Sequence, residues 1–254
     1  MDILTDITNN ILTIQFNRPH KKNSITAAMY QTMADALHNA NEDPSVRVIL
    51  FRGKEGVFSA GNDLIDFKEM PPIDSGAPVF QFLRQISSAT KPIIAAVSGL
   101  AIGIGTTLLL HCDLVYASEN ATFSLPFAQL GLCPEAASSL LLPRLIGHQR
   151  AAEKLLLGEP FSAREAFELG LVNRLLPAGE LDAFALEQAS KLAALPASSM
   201  RATKALMKRI SADEIAEQIN IENNQFRVML QSPEAREAIS AFFEKRKPDF
   251  SKMS

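Results

Sequence analysis

The first forty residues show two hydrophobic patterns, one typical of strands and one typical of a helix. Apolar and polar residues alternate in two runs that begin at Ile3 and Asn10, and the Asn9-Asn10 pair between them predicts a hairpin turn. After Thr26, apolar residues recur at helical spacing to about Asn41, and the Thr26 side chain is expected to cap this helix. The apolar face consists of Met29, Met33, Ala36, Leu37 and Ala40.

Two glycine-rich stretches each stand where a strand pattern changes into a helix pattern. FSAGNDL (58–64) follows a predicted strand over 46–52, and GLAIGIG (99–105) follows the apolar run KPIIAAVS that begins at Lys91. Glycine at such a junction can adopt a positive φ or let the backbone approach a ligand closely. Each turn alone predicts only a tight connection, but two facing turns would direct two backbone N–H groups at one developing oxyanion.

Helix patterns dominate the second half of the chain. Before it, short strands are predicted over 113–118 and 122–125, and helices over 62–67 and 79–88. The later helices are predicted over 137–146, 148–157, 162–168, 179–194, 198–209, 213–230 and 233–245. Strand–helix alternation that gives way to helices alone predicts an α/β fold with a helical C-terminal extension.

Composition excludes few functions. The 254 residues are 47% hydrophobic and 21% charged, which is ordinary for a soluble globular protein. A net charge of −3 argues against nucleic-acid binding but allows a local basic patch for one phosphorylated ligand. Cys112 and Cys133 lack metal-site spacing and are expected to be buried thiols in a reducing compartment. The opening MDILTDITNN lacks the basic segment of a secretory signal, so a cytoplasmic location is expected.

One apolar run raises the question of a membrane span. Residues 93–110 are eighteen residues without a charge. Their β-branched start and three glycines divide the run into strand, turn and helix, and no aromatic belt flanks it. We therefore expect a buried strand-to-helix unit and no membrane partner.

Glu135 is the only acidic residue between Glu119 and Glu153, and it lies among small and apolar residues. A carboxyl in such surroundings tends to be desolvated, which raises its pKa and makes it a stronger base. Alternatively, Pro134 and Glu135 simply begin a helix, where an acid complements the helix dipole. Both roles can hold together because a helix start can also orient a base.

Both glycine-rich stretches resemble those of the crotonase family, also called the enoyl-CoA hydratase/isomerase superfamily. The family pattern A-G-x-D-[LI] is matched over 60–64, and G-x-A-x-G-x-G is matched over 99–105. Further similar segments are FNRPHKKNSIT (16–26), CDLVYAS (112–118), FSAREAFELGLVNRLLP (161–177) and AFFEKRKPDF (241–250). The resemblance implies a crotonase-like spiral of ββα units with the active site over 1–195, and a helical trimerisation region over 196–254.

The resemblance implies an acyl-CoA thioester substrate and narrows the reaction. Crotonase-type hydratases use two glutamates that share one water, and the matching residues here are Thr107 and Phe127, which cannot accept a proton. Glu135 stands where hydratases usually have glycine, and PEAASSLLLP looks like the Δ3,Δ2-enoyl-CoA isomerases of the peroxisomal type. Phenylacetate-pathway isomerases and chlorobenzoyl-CoA dehalogenases place an aspartate at the matching position. The resemblance therefore favours a one-base double-bond isomerase in fatty-acid or related acyl-CoA degradation.

The resemblance also assigns the groups around the base. The backbone N–H groups of Asn62 and Ile104 match the family's oxyanion hole, and Glu135 would carry a proton from C2 to C4 without a metal or redox cofactor. The CoA-binding residues that it implies are Lys21, Lys22, Ala60, Leu64, Phe242 and Lys245. Of these, Phe242 and Lys245 would come from a neighbouring subunit of a homotrimer or homohexamer. The lysines and Phe242 could equally be ordinary surface residues.

Two other functions stay open from the sequence. One is a different reaction on the same scaffold, such as hydration, ring-type isomerisation or thioester hydrolysis. The other is a non-catalytic acyl-CoA-binding oligomer. The Pro/Gly-rich loop over 70–78 is expected to border the acyl pocket and to influence the substrate length.

Overall fold

The computed structural model describes residues 1–54, 56–69, 72, 74, 76–251 and 253. Within them, the strands are β1 Ile3–Thr8, β2 Ile11–Phe16, β3 Val48–Gly53, β4 Ile93–Val97, β5 Leu100–Ile102, β6 Leu114–Ser118, β7 Thr122–Ser124, β8 Phe161–Ser162 and β9 Arg174–Leu176. The α-helices are α1 Ala27–Glu42, α2 Leu64–Glu69, α3 Pro78–Ser88, α4 Ile104–Thr107, α5 Ser138–Ile146, α6 His148–Ala152, α7 Ala163–Glu168, α8 Leu181–Ala194, α9 Ala197–Lys208, α10 Ala212–Leu230 and α11 Pro233–Glu244.

A six-stranded sheet lies at the centre of the fold, in the order β1-β2-β3-β4-β6-β9. Its strands are parallel except for the antiparallel β1–β2 pair. The hairpin predicted between those two strands is confirmed, and Asn9 and Asn10 adopt positive φ angles of 51° and 65° at its turn. A smaller sheet has the order β5-β7-β8. The predicted α/β class with a helical C-terminal region is therefore confirmed.

The middle strands of the central sheet are buried on both faces. Ile49 and Phe51 of β3 belong to the core that includes α1 and α3, whereas Val48 and Leu50 belong to the core that includes α8. A parallel sheet covered on both faces needs strands that are apolar at nearly every position, because successive side chains point to opposite sides. The sequence VILF of β3 meets this requirement.

The predicted elements mostly match the observed ones to within a few residues. Thr26 caps α1 as predicted, since its side chain accepts a hydrogen bond from the N–H of Met29 at 3.3 Å. The uncharged run over 93–110 divides into β4, β5, α4 and a 3-10 turn, and none of the described helices is long and apolar enough to cross a membrane. The expectation of buried cysteines was wrong, because Cys112 and Cys133 are free but only half-buried.

Helices α9, α10 and α11 form the helical C-terminal region. Lys204 of α9 forms an ion pair with Asp113 at 2.6 Å, and Glu222 of α10 binds the start of α5, so contacts cross the predicted boundary between residues 195 and 196. The division into 1–195 and 196–254 stays a prediction. The large exposed apolar side chains of this region include Leu206, Met207, Ile210, Val228 and Phe242.

Candidate active site

The two glycine-rich turns lie directly against each other. The N–H of Ser59 donates to the carbonyl of Leu100 at 2.8 Å, and the N–H of Ile102 donates to the carbonyl of Ser59 at 2.9 Å. Gly61 follows with a φ of +86°, and a Cβ there would lie 2.7 Å from the carbonyl oxygen of Ile102. Only glycine allows this conformation and this close approach together. The facing arrangement expected from the sequence is therefore confirmed.

This contact places two candidate oxyanion donors at the ends of the turns. Gly61 and Asp63 exchange backbone hydrogen bonds with Ile25, at 2.8 and 2.9 Å, so the N–H of Asn62 between them faces the other way. Ile104 is the first residue of α4, where a backbone N–H has no partner within the helix. Neither N–H has a hydrogen-bond acceptor in the described part of the chain.

Asp63 anchors the first turn. Its carboxylate forms an ion pair with Arg18 at 2.6 Å and accepts hydrogen bonds from the Ser24 hydroxyl and from backbone N–H groups at the start of α2. Burial raises the pKa of Asp63, but the hydrogen bonds from Arg18, the Asp66 backbone and Ser24 outweigh it and hold the pKa below its ordinary value. The turn is therefore fixed by a charged residue that does not face the reacting groups.

Glu135 is a buried carboxyl with an incomplete set of partners. Its side chain is 3% exposed, and its Oε1 atom has no hydrogen-bond partner among the described residues. Burial raises its pKa to about 8, the nearby charge of Glu222 adds to the rise, and an interaction with the Asn62 side chain lowers it. Helix α5 begins at Ser138, so the alternative that Glu135 lies in a first helical turn is wrong. This carboxyl has the properties of a general base.

A polar chain connects Glu135 to helix α1. The hydroxyl of Tyr30 donates a hydrogen bond to the side-chain oxygen of Asn62, which leaves the amide nitrogen of Asn62 to interact with Glu135. Burial raises the pKa of Tyr30 well above 10, with the charges of Glu135 and Asp66 adding to the rise, so its hydroxyl stays protonated. The Asn62 side chain, whose role the sequence left open, therefore interacts with both Tyr30 and Glu135.

Two side chains fix the backbone that follows Glu135. Ala136 and Ala137 adopt left-handed φ angles of 61° and 55°. His111 Nε2 binds the Ala136 carbonyl at 2.8 Å, and burial lowers the pKa of His111 to about 4, so its neutral ring donates this bond. The carboxylate of Glu222 accepts hydrogen bonds from the backbone N–H groups of Ala137, at 2.6 Å, and Ser139, at 3.0 Å. No local sequence pattern marked either anchor.

A cavity of about 260 Å³ lies beside this polar chain. Tyr30, whose hydroxyl bonds to Asn62, contributes to its wall. Its remaining lining residues are Ile25, Ala27, Asp66, Phe67, Pro72, Asp74, Ala77, Pro78 and Val79. A mainly apolar cavity of this size suits an acyl chain. The predicted loop over 70–78 borders it at its described residues, while residues 70, 71, 73 and 75 lie outside them.

Comparisons with known proteins decide the family. The family model described as enoyl-CoA hydratase/isomerase matches residues 6–253. The chain belongs to this family, the crotonase superfamily. It is 38% identical over 252 residues to enoyl-CoA delta isomerase 2 of Rattus norvegicus, covering 97% of this chain and 64% of that protein.

Further relatives agree on the crotonase family and differ in their activities. The chain is 33% identical to 1,2-epoxyphenylacetyl-CoA isomerase of Escherichia coli, covering 98% of this chain and 97% of that protein. The crystal structure of an enoyl-CoA hydratase/isomerase from Pseudoalteromonas atlantica superposes with a TM-score of 0.94 at 40% identity, covering 99% of this chain and all of that one. The crotonase-like fold is therefore confirmed, and the reaction is not decided by the family alone.

The crotonase-type hydratase glutamates have no counterpart here. Thr107 lies fully buried in α4, and its hydroxyl has no hydrogen-bond partner within the described residues. Phe127 is also buried, in the third hydrophobic core with Leu125 and Leu142. Neither residue can accept a proton, whereas Glu135 is a buried carboxyl that interacts with the Asn62 side chain.

The residues expected to bind CoA divide into two groups. Lys21 and Lys22 are exposed, and the carbonyl of Lys22 accepts a hydrogen bond from the N–H of Ala60 at 2.9 Å, so the lysines border the first turn. Leu64 begins α2 directly after that turn. The remaining two, Phe242 and Lys245, are exposed at the end of α11, whose main packing partners are α10 and the 3-10 turn over 128–130. Their role stays a prediction.

Proposed function

We propose that this protein is a Δ3,Δ2-enoyl-CoA isomerase that uses Glu135 as its single base. The supporting observation is a buried carboxyl with a pKa raised to about 8 that interacts with the side chain of Asn62, whose backbone N–H has no acceptor among the described residues. The similarity to enoyl-CoA delta isomerase 2 supports the same reaction. In this proposal the acyl chain binds in the cavity, and the CoA phosphates bind to the exposed Lys21 and Lys22.

The thioester carbonyl of a 3-enoyl-CoA would accept hydrogen bonds from the N–H groups of Asn62 and Ile104. Ionised Glu135 would remove one proton from C2, and the electron pair would move onto the thioester oxygen as a conjugated enolate. The two N–H groups stabilise that negative charge, and each such donor is worth about a hundredfold to a thousandfold in rate. The same carboxyl would return its proton to C4, which leaves the double bond between C2 and C3. No metal or redox cofactor takes part in this route.

Hydration of a 2-enoyl-CoA is the competing reaction. It needs a group that activates water and a group that delivers a proton, and Thr107 and Phe127 supply neither. The route through one carboxyl therefore fits the side chains better. We also propose that the protein is cytoplasmic and that it forms a homotrimer or homohexamer. The large exposed apolar side chains of the C-terminal helices support the oligomer.

A paired assay tests the isomerase proposal. Purified protein is given either a 3-enoyl-CoA or a trans-2-enoyl-CoA, and Glu135→Gln is compared with the wild type. We expect isomerisation of the first substrate, a loss of about a hundredfold to ten-thousandfold in the variant, and little hydration of the second. Glu119→Gln, which removes an exposed carboxylate, is the matched control and should match the wild type. Rapid hydration that survives Glu135→Gln would contradict the proposal.

A further inference from the structure

Glu222 is a second buried carboxyl near Glu135 that the proposed reaction does not use. It lies on α10, is 4% exposed, and reaches the backbone that follows the base. Its Oε2 accepts a hydrogen bond from the N–H of Ala137 at 2.6 Å, and its Oε1 accepts one from the N–H of Ser139 at 3.0 Å. The hydroxyl of Ser139 donates a third bond to Oε1. All three partners donate hydrogen bonds to the Glu222 carboxylate, which therefore acts only as an acceptor.

The start of α5 needs an outside acceptor. Its N-cap position is occupied by Ala137, which has no side-chain oxygen to receive the free N–H groups of the first turn. Glu222 supplies that oxygen from 85 residues away in sequence. A carboxylate at a helix N-terminus is also stabilised by the helix dipole. Burial raises the pKa of Glu222 above its ordinary value, and the hydrogen bonds from Ser139 and Ala137 oppose that rise by favouring the ionised form.

Burial raises the pKa of both carboxyls, but the two differ in their hydrogen-bond donors. Glu222 has three donors, whereas Glu135 has an Oε1 atom without a partner in the part of the chain that the structure describes. Hydrogen bonds to a carboxylate favour its charge, and burial without them favours the neutral acid. When two buried carboxyls interact, the one with fewer donors takes the proton.

We propose that Glu222 is a positioning residue whose ionised carboxylate holds residues 137–139 in place and keeps the proton on Glu135 in the free enzyme. The inference deepens the proposed isomerase function and depends on it for the role of the base. Glu222 acts through the backbone and through its charge, and it does not touch the reacting atoms. Loss of its charge therefore makes Glu135 easier to ionise.

Among the described titratable groups close to Glu135, only Glu222 carries a charge that affects the ionisation of Glu135. Burial raises the pKa of Cys133 to about 11, Tyr30 stays protonated, and His111 is neutral. The charged groups further out, which act on Tyr30 or on His111, are Asp66, Lys204 and Lys208.

The main test is the pH dependence of kcat/KM for a 3-enoyl-CoA, compared between the wild type and Glu222→Gln. For the wild type we expect kcat/KM to rise with pH to a midpoint near 8, because the ionised base is the active form. In the variant the midpoint should move down by about one pH unit or more, which is the size expected for losing a nearby charge. Glu217→Gln, on the exposed side of the same helix, is the matched control and should leave the midpoint unchanged.

A purely structural role for Glu222 predicts a different result. Misplacement of the base would lower kcat/KM at every pH and leave the midpoint where it is in the wild type. That outcome, or a variant that is folded and fully active with an unchanged midpoint, would overturn the inference. Circular dichroism of each variant establishes that it is folded before the profiles are compared.

A second measurement does not depend on whether Glu222→Gln folds. The infrared carbonyl band of a buried protonated carboxyl is recorded at about pH 7 for the wild type and for Glu135→Gln. We expect the wild type to show this band and the variant to lack it, because Glu222 is ionised in both. A band that persists in Glu135→Gln would place the proton on Glu222 and overturn the inference. A wild type that shows the expected band but does not convert 3-enoyl-CoA would reject the isomerase function alone.

Discussion

Replacement of Glu135 by Gln is expected to make the fold more stable at alkaline pH. The folded protein raises the pKa of this carboxyl from its ordinary value of 4.5 to about 8, so between those values the native state binds a proton that the unfolded chain does not. The stabilisation is fully present below pH 4.5 and is lost as the pH rises through about 8. Each pKa unit corresponds to about 1.4 kcal/mol, so the free energy of unfolding changes by an amount on the order of 5 kcal/mol over the full titration.

Urea unfolding of the wild type and Glu135→Gln, at about pH 5 and about pH 9, measures this quantity. The variant has no proton to lose at this position, so the stability difference between variant and wild type should increase toward high pH by a few kcal/mol. Equal protein concentrations are needed because any oligomer contributes to stability. Parallel pH dependences for the two proteins would refute the raised pKa, and Glu119→Gln should follow the wild type because its carboxylate is exposed.

Three further predictions concern the surroundings of the base. Tyr30→Phe removes the donor to Asn62 and should lower kcat about tenfold and the free energy of unfolding by about 1 kcal/mol, measured by kinetics and urea unfolding. Gly61→Ala should lower kcat about a hundredfold, because its φ of +86° and the close second turn leave no room for a Cβ. Alanine in place of Lys21 and Lys22 should raise KM for the CoA thioester about tenfold at low salt and leave kcat unchanged, as measured by steady-state kinetics.

Matched variants make these predictions specific. Tyr116→Phe changes the other tyrosine, which packs against Phe184 in the core that includes α8, and should keep full activity. Gly179→Ala adds a methyl group where nothing lies within 4 Å and should be harmless. Lys54→Ala removes an exposed lysine at the end of β3 and should leave KM unchanged. Equal losses in a variant and its control would contradict the corresponding prediction.

The elements with strong hydrophobic periodicity were predictable from the sequence. The hairpin, α1 with its Thr26 cap, the central strands and the later helices follow from local patterns that need no knowledge of the rest of the chain. The strands β5, β8 and β9 are two or three residues long, and their pairing partners lie at least 20 residues away in sequence. Such short strands owe their conformation to the sheet that they join and leave almost no periodic signal.

Two parts of the candidate site could be predicted from the sequence: the glycine-rich turns and the isolated carboxyl of Glu135. Glycines marked the two turns, and the absence of neighbouring acids marked Glu135. Glu222 could not be recognised in the same way, because it lies in IENNQ on a helix whose polar residues mostly face solvent. Tyr30 likewise looks like one more buried residue of α1. Its hydroxyl has a role only because the Asn62 side chain lies within hydrogen-bond distance. Both depend on contacts between distant parts of the chain.

The order of synthesis gives the long-range contact at Glu222 a kinetic consequence. The segment that carries Glu135 leaves the ribosome before α10 exists, and the bond from Ala137 to Glu222 spans 85 residues. At about 5–20 residues per second, the gap lasts about 4 to 17 s. During that time the central strands β1 to β4 and β6 can already pair, because they all precede residue 120. A nascent chain therefore acquires its sheet first and completes its base-holding loop only when the C-terminal helices have been made.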